Sequence, residues 1–246
     1  MNKTIRAIFF DLDGTLLDNH MEAFLPHYFQ RLVARVAHIL PPDEFIAHLM
    51  RASNAMMAND GRATNEEVFA ATFYPLARHP RHELEPIFAD FYANDFPELR
   101  GYTRRKPEAR LVVQQAFDLG CDVVIATNPL FPATATEQRL EWAGVADFPY
   151  QLVTTYENSR ACKPNLLYYE HILESIGHRA EACLMVGDED WDMVAACLGC
   201  ATFLVLSPSI PPTRGGEEWR GLDPATTEPT YRGRLADLET LLMSWR

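Results

Sequence analysis

Short apolar runs rich in β-branched and aromatic residues alternate along the chain with longer stretches whose apolar positions recur every three or four residues. The runs TIRAIFF (4–10), CDVVIAT (121–127), YQLVTTY (150–156), ACLMVGD (182–188) and ATFLVL (201–206) are predicted strands. From the second run to the last, each gap suits a crossover helix. The pattern therefore predicts an α/β fold, a Rossmann-like parallel sheet core covered by helices.

The first interval breaks the rhythm. More than a hundred residues separate IRAIFF from DVVIAT, and they read as helices rather than strands. From Leu25, the positions Tyr28, Phe29, Leu32, Val36 and Ile39 form one apolar stripe, and Phe45, Ile46, Leu49, Met50, Ser53 and Met57 form a second. Pro41 and Pro42 divide the two helices, and further helical segments fit about 65–77 and 83–95. LRGYTRRKPE then returns the chain to a polar, turn-like composition. The predicted organisation is a helical insert over 19–100 in a core built from 1–18 and 101–246. The segment Ser207–Gly233, rich in proline and glycine, predicts a long irregular stretch before a last helix at about 234–244.

Composition narrows the class. A chain of 246 residues, 48% hydrophobic and 23% charged, can bury one large core, or a core with a smaller accessory domain. It shows neither an N-terminal signal pattern nor an apolar run near the ~20 residues that span a bilayer, so a cytoplasmic protein without membrane association is expected. A formal charge of −12 disfavours nucleic acid and anionic membranes as partners. The odd number of cysteines (Cys121, Cys162, Cys183, Cys197, Cys200) suits reduced thiols. Cys197-x-x-Cys200 reads as structural, since no second pair or nearby histidine completes a zinc site.

FFDLDGT, at the end of the first run, sets two aspartates against a strand destined for the core. A hairpin turn at Asp13-Gly14 lacks a return strand. An EF-hand loop fails because Leu16 stands where the sixth position needs glycine. A solvated strand end is the remaining plain reading, and the later polar signals weigh against it. Thr127-Asn128 closes the second run, Lys163-Pro164 follows the third, and GDEDWD closes the fourth with Asp188 and Asp192 four apart. Ligand sites of open parallel sheets gather at these carboxyl ends.

The ordered set resembles the haloacid dehalogenase superfamily of aspartate-dependent phosphohydrolases over nearly the whole chain. DLDGT is similar to its first motif, Thr127 to its second, Lys163 to its third, and Asp188 with Asp192 to its acidic fourth; the insert resembles its α-helical cap domain. Clustered carboxylates beside a phosphate call for a hard cation, and Mg²⁺ fits oxygen ligands. The resemblance implies the same metal, with Asp11, Asp188 and the Asp13 carbonyl as ligands and Asp192 in support. It makes Asp11 the expected nucleophile and Asp13 the expected general acid and base. Gly14 would let backbone approach the phosphate, while the Thr127 hydroxyl and Lys163 would meet its oxygens. Asn128, His20 and Asn54 are candidate substrate contacts, with Phe24 beside them.

Asp13 separates this chain from relatives of other chemistry. The resemblance implies that halide-displacing members lack a carboxylate there and that phosphonate-cleaving members need a lysine in the cap, whereas 19–100 contains no lysine. The expected activity is hydrolysis of a small phosphorylated metabolite. The alternatives are a phosphotransferase or mutase, with Arg51, Arg62, Arg78 or Arg81 holding a second phosphate, and a phosphate-ligand-binding protein without turnover.

Overall fold

The computed structural model describes residues 5–206 and 227–245. The strands in chain order are β1 (Ala7–Phe10), β2 (Leu17–Asp18), β3 (Arg104–Arg105), β4 (Asp122–Ile125), β5 (Leu152–Val153), β6 (Cys183–Gly187), β7 (Ala201–Val205) and β8 (Tyr231–Gly233). Six of them form one parallel sheet in the order β5-β4-β1-β6-β7-β8. The chain runs from central β1 outward through β4 and β5, then crosses to β6 on the other side. That reversal opens a crevice at the carboxyl ends of β1, β4 and β6, where ligands bind in such sheets.

The long first interval is helical, as its periodicity predicts: α1 (Met21–Val36), α2 (Pro42–Met57), α3 (Asn65–Ala77) and α4 (Arg81–Asn94), closed by a 3₁₀ segment, Phe96–Tyr102. Proline starts α2 at its first position, with Asp43 and Glu44 behind it. At the start of α3 a capping box pairs Thr64 with Glu67 in both directions, at 2.8 and 3.2 Å. The buried stripe of α1 (Phe24, Tyr28, Leu32, Val36) matches the pattern read from the sequence. That of α2 is Phe45, Leu49, Ala52 and Met56; it leaves Met50 exposed and turns the helix from the stripe ending at Met57. Two equally apolar faces lie side by side in α2, and packing on α3 selects between them. Where the insert leaves and returns, β2 pairs antiparallel with β3, Leu17 opposite Arg105 and Asp18 opposite Arg104.

Both faces of the sheet are covered, which is why its strands are continuous apolar runs rather than alternating ones. Ile8 and Phe10 point to the face shared with α5 (Ala109–Asp118), α6 (Ala133–Ala143) and the insert's core. Ala7 and Phe9 point to the other face, against Tyr168, Tyr169 and Ile172 of α7 (Leu166–Ile176), and Val194, which follows the short α8 (Asp190–Met193). The last helix, α9 (Leu235–Met243), packs Leu238 and Leu242 on the first face.

Two strand expectations are refined. YQLVTTY narrows to Leu152–Val153, because Thr154 turns its hydroxyl to the Thr127 carbonyl and Asn158 donates to the Val153 carbonyl at 2.8 Å, closing a loop in place of further ladder. The stretch expected to be irregular over 207–233 ends in β8, an edge strand on β7, while 207–226 lies outside the described residues. None of the five cysteines forms a disulfide. Among the described residues, no helix is long and apolar enough to cross a membrane.

Candidate active site

β1 ends at Phe10, and the Asp11 amide still donates to the Val186 carbonyl at 2.9 Å, so the Asp11 side chain leaves the sheet beside β6. β6 ends at Gly187, which delivers Asp188; Glu189 then caps α8 and sets Asp192 on its first turn. A Cβ on Gly187 would lie 2.2 Å from the Asp192 carboxyl carbon, so only glycine lets that carboxylate fold back. Asp11, Asp188 and Asp192 bring one oxygen each within 4.8 Å of one another.

Lys163 stands among them. Its Nζ lies 2.7 Å from Asp11 Oδ1 and 2.5 Å from Asp192 Oδ1, fully excluded from solvent. Burial alone would pull its pKa down, but the two carboxylates outweigh burial and hold it well above the ordinary lysine value. The lysine is a permanent cation here. The loop that carries it is fixed to the end of β4: the Lys163 amide donates to Asn128 Oδ1 at 3.2 Å. The carbonyl of Thr127 accepts from the Thr154 and Tyr168 hydroxyls at 2.7 and 2.9 Å.

One lysine does not neutralise the cluster. Burial, followed by the like charges of Asp11 and Asp192, drives the Asp188 pKa well above the carboxylate range. Asp188 also accepts from the Thr15 hydroxyl at 2.8 Å. Gly14 has φ +84°, and a Cβ there would fall 2.0 Å from Asp188 Oδ2. Glycine is thus required both for the turn and for the close approach of the carboxylate. Excess negative charge on converging oxygens is the donor set of a hard divalent cation, and the residues fit one.

Asp13 points away from that cluster. Its Oδ1 accepts from Asn19 Nδ2 at 2.7 Å, and its Oδ2 is ion-paired with Arg139 of α6. Burial raises its pKa, Arg139 opposes that, and Asp11 adds to it, leaving the net shift upward.

The sequence-predicted residues divide accordingly. Asp11, Lys163, Asp188 and Asp192 converge, with Gly14 packed against Asp188, whereas the Asp13 side chain turns to Asn19 and Arg139; Thr127 and Asn128 follow the end of β4, and Asn128 accepts from the Lys163 amide. His20 lies half-exposed and pairs with Asp18 at 3.1 Å, while Asn54 is exposed on α2. From α2 the residue that reaches the site loop is Met57, whose sulfur lies 3.8 Å from Asn128 Nδ2. Of the insert's arginines, Arg81 is held by Glu66 and Glu85, and Arg62 is exposed.

Four residues near the site escaped the reading of the sequence: Thr15, Asn19, Lys106 and Arg139. Lys106 follows β3 and donates to the Gly14 carbonyl. Its signal was weak, a lysine in a polar stretch. Arg139 had a legible one, because Ala135, Arg139 and Ala143 recur at four-residue spacing on the buried face of α6.

The insert is also tied to the core beyond the β2–β3 ribbon. Asn65, fully buried at the start of α3, accepts from Asn59 Nδ2 at 2.8 Å and donates to the Pro129 carbonyl at 3.1 Å and the Cys162 sulfur at 3.3 Å. The first amides of α3, on Asn65 and Glu66, donate to the carbonyls of Ser159 and Tyr156, each at 2.8 Å. The insert thus grips the two loops that carry Asn128 and Lys163.

Comparison with known proteins agrees with this geometry. Residues 5–196 match a family model described as a haloacid dehalogenase-like hydrolase. The chain is similar to the phosphoglycolate phosphatase of Vibrio parahaemolyticus, 26% identical over 200 residues, which cover 81% of this chain and 82% of that one. Among solved structures, an HAD phosphatase from Thermococcus onnurineus superposes with a TM-score of 0.57 at 18% identity, covering 97% of this chain and 98% of that one. The L-2-haloacid dehalogenase of Xanthobacter autotrophicus, with chloropropionic acid covalently bound, gives 0.55 at 17%, covering 98% and 99%. The shared fold serves both chemistries, so the fold leaves the reaction to be argued from the site.

Proposed function

Because the chain belongs to the haloacid dehalogenase-like hydrolases, we propose that it is a Mg²⁺-dependent phosphatase that hydrolyses a small phosphomonoester through an aspartyl-phosphate. The observation that carries the proposal is Asp13, a partly buried carboxyl two residues from Asp11 and clamped from both sides by Asn19 and Arg139. Displacing halide from carbon needs no proton donor, whereas expelling an alkoxide from phosphorus does.

In this reading Asp11 attacks phosphorus, the bond to the ester oxygen breaks, and Asp13 passes its proton to that oxygen. Asp13, now a carboxylate, takes a proton from water as the water oxygen attacks phosphorus; Asp11 departs and inorganic phosphate leaves. Lys163 keeps Asp11 oriented and supplies fixed positive charge beside it. The Thr127 hydroxyl and the Asn128 amide would hold the phosphoryl oxygens. Asp11, Asp188 and the Asp13 carbonyl would hold Mg²⁺ with Asp192 in support, and the bound ion would neutralise charge between nucleophile and phosphate.

Residues 19–100 serve as the cap. With the insert gripping the loops around the site, Asp11 is only 7% exposed, which suits a small substrate and excludes bulk water during transfer. Phosphoglycolate, the substrate named for the Vibrio relative, is the first candidate. The test is phosphate release from a panel of small phosphomonoesters with and without Mg²⁺. Turnover that requires Mg²⁺ and vanishes in Asp11→Asn supports the proposal, and a panel without turnover counts for the non-catalytic alternative.

A further inference from the structure

The chemistry proposed above gives no step of its own to Arg139, the cation that clamps Asp13. Arg139 is 1% exposed, in the middle of α6, on a face otherwise made of Ala135, Thr136, Leu140 and Ala143. Stripping a guanidinium of water costs several kcal/mol unless its partners are well placed. Here its Nε donates to the Ala135 carbonyl at 3.3 Å, one terminal nitrogen to Thr136 Oγ1 at 3.2 Å, and the other to Asp13 Oδ2. Its carbon lies 4.7 Å above the centre of the Phe131 ring. The helix and the ring fix the plane of the guanidinium, and Asp13 receives its charge.

We propose that Arg139 is a positioning residue for proton transfer: it holds the Asp13 carboxyl in the orientation from which the leaving oxygen is protonated and water is later deprotonated. The proposal rests on the phosphatase reading. Asp13 follows a backbone turn and has two rotatable side-chain bonds, so its direction must come from its partners. Asn19 Nδ2 takes one oxygen and Arg139 the other. A carboxyl held at both oxygens presents its remaining lone-pair positions in fixed directions. After the proton has gone to the leaving oxygen, Asp13 is a carboxylate, the form that a guanidinium stabilises.

The insert maintains the pairing. Phe131, beneath Arg139, meets Tyr28 edge-on at 5.5 Å and Phe96 at 6.5 Å, both from the insert side of the molecule. Tyr28 and Tyr92 join hydroxyls at 2.9 Å behind them, and Gln138, next to Arg139, donates to the Tyr92 carbonyl at 2.7 Å. Water is kept from the ion pair by the same aromatic surface that packs the insert on α6. The placement of Asp13 is therefore tied to the seating of the insert.

The test compares two leaving groups in Arg139→Met, which keeps volume and removes the donors, with Asp13→Ala as the reference. For phosphoglycolate, whose alkoxide needs a proton, kcat/KM, which reports the transfer to Asp11, is expected to fall about 100-fold, within the usual range for acid–base assistance. For 4-nitrophenyl phosphate, whose leaving oxygen departs unprotonated, the fall in kcat/KM should stay within about threefold, as in Asp13→Ala, because Asp13 enters that turnover only in the later attack of water. Equal losses of kcat/KM on both substrates, or no loss on phosphoglycolate, would overturn the proposal. If Arg139→Met does not fold, Arg139→Lys carries the same comparison, with a smaller loss confined to phosphoglycolate expected because one ammonium cannot reproduce the fork. The crystal structure of the variant gives a reading independent of turnover: Asp13 should leave its present position, and an unmoved Asp13 would overturn the proposal. A wild-type protein inactive on both esters would count against the phosphatase reading itself.

Discussion

The ammonium of Lys163 lies 2.5 Å from Asp192 Oδ1, with both side chains completely shielded from solvent. Such a pair carries its desolvation cost only while both members are present. Lys163→Met leaves Asp11 and Asp192 as neighbouring buried carboxylates and should destabilise the metal-free protein by about 3–5 kcal/mol. Urea denaturation monitored by circular dichroism measures it. A change of less than about 0.5 kcal/mol, the ordinary effect of a surface substitution, would show that the pair is not buried in solution.

The acidic cluster gives the metal-free protein an unusual pH response. Burial pushes Asp192 up to about 7 despite Lys163, and drives Asp188 well above the carboxylate range together with the charges of Asp11 and Asp192. Groups with raised folded pKa values bind more protons folded than unfolded, so their contribution is present at low pH and declines as pH rises through the folded values. Thermal stability without metal should therefore fall between about pH 4 and pH 7 on account of these groups. Saturating Mg²⁺ should flatten that decline, since metal takes the place of the protons. A melting temperature that rises over the same interval without metal would contradict the assignment.

Gly14 is a steric requirement of the site. Gly14→Ala puts a Cβ within 2.0 Å of Asp188 Oδ2 at a φ of +84°, so the backbone or the carboxylate must move. The expected result is a loss of stability of about 1–3 kcal/mol together with weaker Mg²⁺ binding, measured by calorimetric titration. Unchanged affinity would remove Asp188 from the metal site.

Asn65 links the insert to the loops around the site. Asn65→Ala takes one of the two acceptors of Asn59 Nδ2, which keeps the Ala63 carbonyl, and removes the donor to the Pro129 carbonyl and the Cys162 sulfur, which should cost about 1–3 kcal/mol. Hydrogen exchange should accelerate at Asn128–Leu130 and Ser159–Lys163 while β1 and β6 stay protected. Exchange confined to α3 itself would mean that the grip on the core loops is not maintained by this side chain.

The periodicity of the chain carried much of this fold, because a sheet buried on both faces writes itself as apolar runs and an amphipathic insert as stripes. It failed where the signal was short or degenerate. β2 and β3 have two residues each, too few for a period, and β8 adds to an edge through backbone bonds that need no particular side chains. In α2 two adjacent apolar stripes were available, and only packing on α3 decides that Met56 turns inward while Met57 reaches Asn128. The charged core of the site was legible because carboxylates at strand ends demand an explanation. The place of Arg139 on a buried helix face was legible as well, but its role was not, because that depends on a partner 126 positions away. No motif stands behind Asn54, and the helix turns it to solvent.

The central claim is that Asp11 becomes covalently phosphorylated during Mg²⁺-dependent hydrolysis. Rapid acid quench during turnover of ³²P-labelled phosphoglycolate, followed by mass spectrometry of the peptide containing Asp11, tests it directly. The account predicts an acid-stable, hydroxylamine-sensitive phosphoryl group on Asp11 that requires Mg²⁺ and is absent in Asp11→Asn. Full turnover with no label on the protein, or label that persists in Asp11→Asn, would contradict it.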